Sequence, residues 1–245
     1  MRGLQGYESL QGSKRALNAT ETMNQPVLAL FVGGLRPLPP EGQQTGMFKS
    51  AVTGPVAVTR EGLAGDRQGD RRVHGGPEKA LHYYPAEHYT HLAGRVPGLA
   101  GELKPGVLGE NLSAHGLTEA EVCIGDVFAV GTCRIQVSQP RQPCWKINHR
   151  LDYPTLSRII ADEGKTGWYF RVLAEGAIAA GDRLELVERP APGLTLARLW
   201  AATLAHRPAP AELHALAEAP GLAPELARRL RERAAWLANQ EAPPC

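Results

Sequence analysis

The chain has 245 residues, of which 43% are hydrophobic and 21% charged, and a formal charge of +2 at pH 7. That size and composition suit a globular protein of one large domain, or one with a smaller companion, and exclude a disulfide-built scaffold. The small net charge argues against general nucleic-acid binding, and no stretch approaches the roughly 18 apolar residues of a membrane span.

The first 22 residues are polar, lack a signal-peptide apolar region and show no clear period, so residues 1–24 are expected to be an unstructured extension, with Met23 as an alternative start. Val27 to Val32 is a short apolar run before Gly33-Gly34 and reads as a buried strand. The Pro- and Gly-rich stretch 34–44 reads as a loop. Val52 and Val56 to Val58, cut by Gly54-Pro55, read as a bent or edge strand. Pro85 suits the first turn of a helix running to about Gly94. Glu121 to Val137 predicts two or three short strands with turns at Gly125-Asp126 and Gly131-Thr132. Asp152 is a candidate N-cap for a helix ending near Gly164 and presenting Leu156, Ile159 and Ile160 on one face. Two more strands are expected around Gly176 and Gly181-Asp182. Short strands with glycine turns and inserted helices predict a mainly β fold, a closed or nearly closed barrel over residues 25–189.

Composition changes after Arg189, where Pro190 and Pro192 mark a linker. The rest, residues 190–245, is alanine-rich with three helical stripes: one capped by Thr195, a short one at Leu213 and Leu216, and one with Pro224 in its first turn. This three-helix domain is expected either to form the interface of a homodimer or to cover the mouth of the barrel.

The chemistry centres on Cys144. Pro140 and Pro143 restrain it, Arg141 and Lys146 flank it, and no carboxylate occurs between Arg134 and Leu151. Cysteines in such electropositive loops serve as nucleophiles or soft-metal ligands. Cys123 and Cys133 lie in strand patterns and read as core, Cys245 is terminal, and no CxxC or structural-zinc spacing occurs; reducing cytoplasm is the expected compartment. His74, followed by Gly75, Gly76 and Pro77, sits where the backbone can turn tightly against a ligand. Lys49 alone reads as a surface lysine. Arg67, Arg71, Arg72 and Lys79, interleaved with Asp66, Asp70 and Glu78, read as a solvated face, although arginine suits phosphate. His82, His88 and His91 read as surface or packing residues. Asn111 follows a glycine and a glutamate in a turn that could face a polar heterocycle, and Arg171 inside an aromatic strand must be paired or face a pocket. Walker, GxGxxG and GxSxG motifs are absent.

Five stretches, 45–56, 62–89, 109–119, 125–148 and 167–176, together resemble the MOSC-domain family found in molybdenum-cofactor sulfurases, and within it the bacterial YiiM-type members. The specific pieces are Pro140-Arg141-Gln142-Pro143-Cys144 and the run from Val73 through His74, Gly75 and Gly76 to Lys79. The resemblance implies a MOSC-type β-barrel followed by a three-helix domain, and binding of molybdenum cofactor (molybdopterin). It implies two-electron reduction of N-hydroxylated bases such as 6-hydroxylaminopurine. It matches Cys144 to the family's characteristic cysteine and metal ligand, and His74 and Lys49 to the catalytic residues beside it. Arg141, Arg171, Asn111, Gly75, Gly76 and Arg72 are its cofactor-binding candidates. With no second redox site in the sequence, a flavin or iron–sulfur reductase is the expected electron donor. The alternative is a non-enzymatic carrier of cofactor or sulfur with a persulfide on Cys144; a metal-free cysteine hydrolase using Cys144 and His74 is a third reading. Nothing resembles a pyridoxal phosphate lysine site.

Overall fold

The structure, a computed structural model, describes residues 23–40, 42–70 and 74–241. In chain order its strands and helices are β1 (Asn24–Val32), β2 (Arg36–Leu38), β3 (Gln43–Thr45), β4 (Ser50–Ala51), β5 (Val56–Thr59), β6 (Gly62–Leu63), β7 (Leu81–Tyr83), α1 (Glu87–Arg95), β8 (Leu112–Ala114), β9 (Val127–Val130), β10 (Cys133–Pro140), α2 (Lys146–Arg150), α3 (Leu156–Asp162), β11 (Trp168–Ala174), β12 (Gly176–Ile178), β13 (Arg183–Glu188), α4 (Leu196–Leu204), α5 (Pro210–Ala217) and α6 (Pro224–Glu241).

The barrel closes in the order β1, β13, β9, β10, β11, β7, β8 and back to β1; every pairing is antiparallel except β7 with β8. Alternation along each strand fills the barrel and decorates its outside. Trp168, Phe170 and Val172 of β11, Ile135 and Val137 of β10, and Leu81 and Tyr83 of β7 belong to the apolar interior. Their neighbours His82, Tyr169 and Arg171 therefore stand on the outer face. A second apolar cluster from α1, α2 and α3 (Tyr89, Leu92, Ile147, Leu156 and Ile160 among it) packs over part of that face. A third joins Ile124 to Leu199, Leu213, Leu230 and Leu237 of the three C-terminal helices. The polar outer face of β7 and β11 is thus roofed on two sides.

Most expected elements form, with several corrections. β1 begins at Asn24, which pairs with Glu185, and Met23 is buried, so the expected extension does not reach those two residues; residues 1–22 lie outside the described residues. The loop expected before Thr45 contains the β2–β3 ribbon, its Pro37 facing Gln44 across a narrow two-stranded pairing. Val52 lies outside β4 and β5. Thr155, not Asp152, precedes α3, because Asp152 sits at φ 46 after the short helix α2 that sequence periodicity did not mark. Thr195 caps α4 as expected, its hydroxyl accepting from the Arg198 amide at 3.2 Å.

Candidate functional site

A cleft of about 710 Å³ opens between the outer face of the barrel and the C-terminal helices, with Pro143, Trp145, Trp200, Leu226 and Arg229 among its walls. It narrows onto an inner cavity of about 70 Å³ lined by Lys49, Asp66, His82, Asn111, Arg141 and Tyr169. Cys144, His74, Lys79 and Lys146 line both. Residues read separately along the chain, Lys49, His74, Asn111, Arg141 and Cys144, therefore meet in one place.

Two loops form the wall opposite the strands, and they touch backbone to backbone. A Cβ on Gly46 would stand 1.9 Å from the Arg67 carbonyl oxygen, and one on Gly69 would stand 2.5 Å from that of Gln44. Helix α2 clamps the same wall: Lys146 Nζ donates to the Gln44 carbonyl at 3.0 Å, Arg150 donates to the Met47 carbonyl, and its guanidinium lies 4.9 Å from the Phe48 ring centre. Cys144 lies at the entry to this helix, its carbonyl accepting from the Ile147 amide at 3.0 Å.

Lys49 is not on the surface. Its side chain is 6% exposed and its ammonium donates to Asp66 Oδ2 at 2.7 Å, with the Asp66 side chain 2% exposed. Burial pulls the Lys49 pKa below its ordinary value, with the Asp66 charge opposing. Asp66, expected on a solvated face, also accepts from the Gly33 amide at 3.0 Å and from Asn111 Nδ2 at 2.9 Å. Asn111 Nδ2 also donates to the Phe31 carbonyl, while Asn111 Oδ1 accepts from the His82 amide at 3.0 Å, so this side chain braces the site.

His74 is held well below its ordinary pKa, at about 4, first by burial and then by the charges of Arg141, Lys79 and Lys146. The imidazole is neutral at pH 7. Arg141 is 4% exposed, and no carboxylate pairs with it among the described residues; its Nη2 donates to the Leu108 carbonyl at 3.2 Å. Its backbone is fixed through the turn before β11: Arg141 N donates to the Gly167 carbonyl, and Gly167 N donates to Glu119 Oε1 at 2.7 Å.

Arg171 is elsewhere. It forms an ion pair with Glu78, donates to Gln136 Oε1 at 2.6 Å and donates to the Gly221 carbonyl at 2.7 Å, tying the turn after His74 to the C-terminal helices. Gly75 and Gly76 do not line the cavity; Gly76, at φ 86, turns the chain between His74 and Pro77. Arg72 lies outside the described residues. His88 pairs with buried Glu119 at 2.6 Å and His91 with Glu163 at 2.6 Å, so each has its own partner. Cys123 and Cys133 are buried, and burial raises both thiols, Cys133 to about 11. Sequence reasoning missed Asp66, His82 and Tyr169. The alternation of β7 and β11 was the available signal for the last two, since it puts His82 and Tyr169 opposite the apolar set and in register with each other.

Comparison with known proteins places these features in a family context. The profile of the MOSC domain matches residues 70–185. Protein YiiM of Escherichia coli (strain K12) is 44% identical over 150 residues, covering 61% of this chain and 67% of that protein. The uncharacterized protein YflK of Bacillus subtilis (strain 168) is 41% identical over 172 residues, covering 69% and 76%. A protein of Gibberella moniliformis (strain M3125 / FGSC 7600) named "Reductase" is 36% identical over 147 residues, 60% of this chain but 26% of that longer one. Crystal structures of YiiM from Escherichia coli and from Geobacillus stearothermophilus superpose with TM-scores of 0.74 and 0.72, at 33% and 34% identity, covering 87% and 86% of this chain and 94% and 99% of theirs.

Proposed function

This chain belongs to the MOSC-domain family, and from that premise we propose that it holds molybdenum cofactor against Cys144 and reduces N-hydroxylated bases, 6-hydroxylaminopurine among them, to amines. The observation that carries the reading is a buried guanidinium, Arg141, without a carboxylate partner among the described residues, in the same cavity as an accessible cysteine. A buried cation of this kind is stable when an anion completes it. The donor set fits a sulfur-ligated metal carried on an anionic organic group: Cys144 offers a soft ligand, and Arg141, Lys79 and Lys146 surround the position with positive charge. Among the described residues no group of three His, Cys, Asp or Glu side chains is placed to hold a bare ion.

When bound, the cofactor supplies the two electrons of the reduction. The overall change consumes two electrons and two protons for each N–O bond broken and releases water. The chain's own residues bind, orient and move protons. Lys49, buried, lowered in pKa and held by Asp66, is the proton donor toward the departing oxygen. His74 is neutral at working pH and orients by hydrogen bonding rather than acting as an imidazolium acid. Trp145 and Trp200 give the cleft flat apolar walls suited to a heterocycle, and the narrowing toward Cys144 limits water at the reacting atoms. Electrons are drawn from a separate flavin or iron–sulfur reductase. The fungal relative named as a reductase supports redox chemistry in this branch of the family.

The test is Cys144→Ala in protein made by a cofactor-competent host. Loss of 6-hydroxylaminopurine reduction with an unchanged melting temperature is the expected result. Full activity in that variant rejects the proposal. Wild-type protein that carries the cofactor yet reduces no N-hydroxylated base with any donor supports the carrier role instead.

A further inference from the structure

β10 ends at Pro140 and β11 begins at Trp168, and those two residues pair. One rung further, the Arg141 amide donates to the Gly167 carbonyl at 3.0 Å. The loop that carries Arg141 and Cys144 leaves the barrel from this contact. Gly167 is at φ 67, and a Cβ there would stand 2.3 Å from the Tyr83 carbonyl oxygen. The turn excludes a side chain, so its anchor comes from another segment.

That anchor is Glu119, in the connection between β8 and β9. The residue is 4% exposed. Its Oε1 accepts from the Gly167 amide at 2.7 Å, and its Oε2 lies 2.6 Å from His88 Nε2 on α1. Its backbone carbonyl accepts from the Ala197 amide of α4 at 2.8 Å. One buried residue thus ties together the helical layer over the barrel, the first turn of the C-terminal helices and the peptide that holds Arg141. A carboxylate accepting a backbone N–H makes a stronger hydrogen bond than a neutral acceptor does. Gly167 also leads directly into Trp168 and Tyr169, and the Tyr169 hydroxyl bonds to the Arg141 side chain. Both ends of that contact therefore start from the same turn. Neither Glu119 nor His88 lines the inner cavity or the cleft, so any influence on the site passes through the turn.

We propose that Glu119 is a positioning residue: through the Gly167 peptide it sets where the Arg141 guanidinium and the Tyr169 hydroxyl stand in the cavity that holds Cys144, and His88 keeps the carboxylate in place. The inference rests on the reading above only in taking the group that Arg141 receives to be the cofactor; the positioning itself does not depend on it. Removing the carboxylate leaves the Gly167 amide buried without an acceptor. The turn then shifts to find one, and Arg141 moves with it. Residues that orient the groups around a bound metal change its affinity by about tenfold to a hundredfold when replaced.

The experiment compares the full wild-type chain with Glu119→Leu and Glu119→Gln. The leucine fills the space without accepting a hydrogen bond, and the glutamine oxygen still accepts from the Gly167 amide. Guanidinium Nε–H signals of ¹⁵N-arginine-labelled protein report each arginine in place, and Arg141→Lys assigns the signal of Arg141. In Glu119→Leu that signal is expected to shift or split, while those of Arg171 and Arg189, each paired with its own carboxylate, stay where they are. Glu119→Gln is expected to restore the wild-type signal. Molybdenum and pterin content in protein from a cofactor-competent host is expected to fall about tenfold to a hundredfold in Glu119→Leu and to stay near wild type in Glu119→Gln. An unmoved Arg141 signal, equal disturbance of all three arginines, a glutamine variant no better than the leucine one, or full loading of Glu119→Leu overturns the proposal. Should the leucine variant not fold, hydrogen exchange in wild-type protein decides: Gly167 and Arg141 amides exchanging together support the anchor, and a Gly167 amide exchanging far faster than that of Arg141 rejects it. Wild-type protein without cofactor refutes the cofactor reading and leaves the arginine signals to judge the positioning.

Discussion

Lys49 and Asp66 stand 17 residues apart in sequence and meet at 2.7 Å. Removing one charge leaves the other buried and uncompensated. Asp66→Asn is expected to destabilise the fold by roughly 3–5 kcal/mol, read as a lowered urea midpoint. Lys49→Met is expected to cost less, because Asp66 keeps the Gly33 amide and Asn111, yet to lose N–O reduction. A Lys49→Met variant as unstable as Asp66→Asn would show that the ammonium is structural before anything else. His74 sets a pH signature. Its folded value of about 4 lies below its ordinary 6.5, so the unfolded chain takes up the proton first as pH falls. The resulting penalty is absent above about 6.5 and complete below about 4. It amounts to at most roughly 2–3 kcal/mol for this partly exposed ring. His74→Asn should flatten the stability curve across that window, and an unchanged slope would assign the acid sensitivity to other groups. Cys144 and His74 were legible from their neighbours, a proline-boxed cysteine and a histidine before two glycines. Asp66 was not, since the amino acids around it look solvated and only the meeting of distant loops buries it.

Among the elements, the barrel strands were legible because apolar alternation has one physical meaning, an inside and an outside. The β2–β3 ribbon was hidden by its prolines, and α2 by its five residues, too few to show a helical period. Arg171 illustrates a half-legible residue. A charge in an aromatic strand had to be paired or pocket-facing, and the structure pairs it with Glu78 and the Gly221 carbonyl. Arg171→Met is therefore expected to loosen the C-terminal helices, with faster proteolysis between Arg189 and Thr195 and a loss of about 1–3 kcal/mol, while cofactor content is unchanged. A selective loss of cofactor with normal stability would restore Arg171 to the binding set. The loop wall gives a second prediction at this scale. Gly46→Ala places a methyl group 1.9 Å from the Arg67 carbonyl oxygen, which forces the two loops apart. The expected outcome is a lower melting temperature together with weaker binding of any ligand in the inner cavity; a neutral effect on both would mean that the wall yields freely.

For the whole molecule, the candidate site lies outside the barrel rather than inside it. Its lumen is filled by apolar side chains, and the cleft forms where the α1–α3 layer and the C-terminal helices overhang β7 and β11. Trp200 and Thr203 of α4 and Leu226 and Arg229 of α6 line that cleft, so the helical tail is a wall of the site. Trp236 and Leu204, 58% and 48% exposed, remain on the tail and are where we propose that a homodimer forms. Sedimentation of Trp236→Glu tests this, with a monomer expected and an unchanged dimer placing the interface elsewhere. The central claim is that Cys144 and its cationic surround hold molybdenum cofactor. The most direct measurement is joint elemental and pterin analysis of wild-type and Cys144→Ala protein purified from a cofactor-competent host. Molybdenum and pterin in equal, near-stoichiometric amounts in the wild type, with molybdenum sharply reduced in the variant, is the predicted result. Wild-type protein free of both, made in a host that loads other molybdenum proteins, would contradict it.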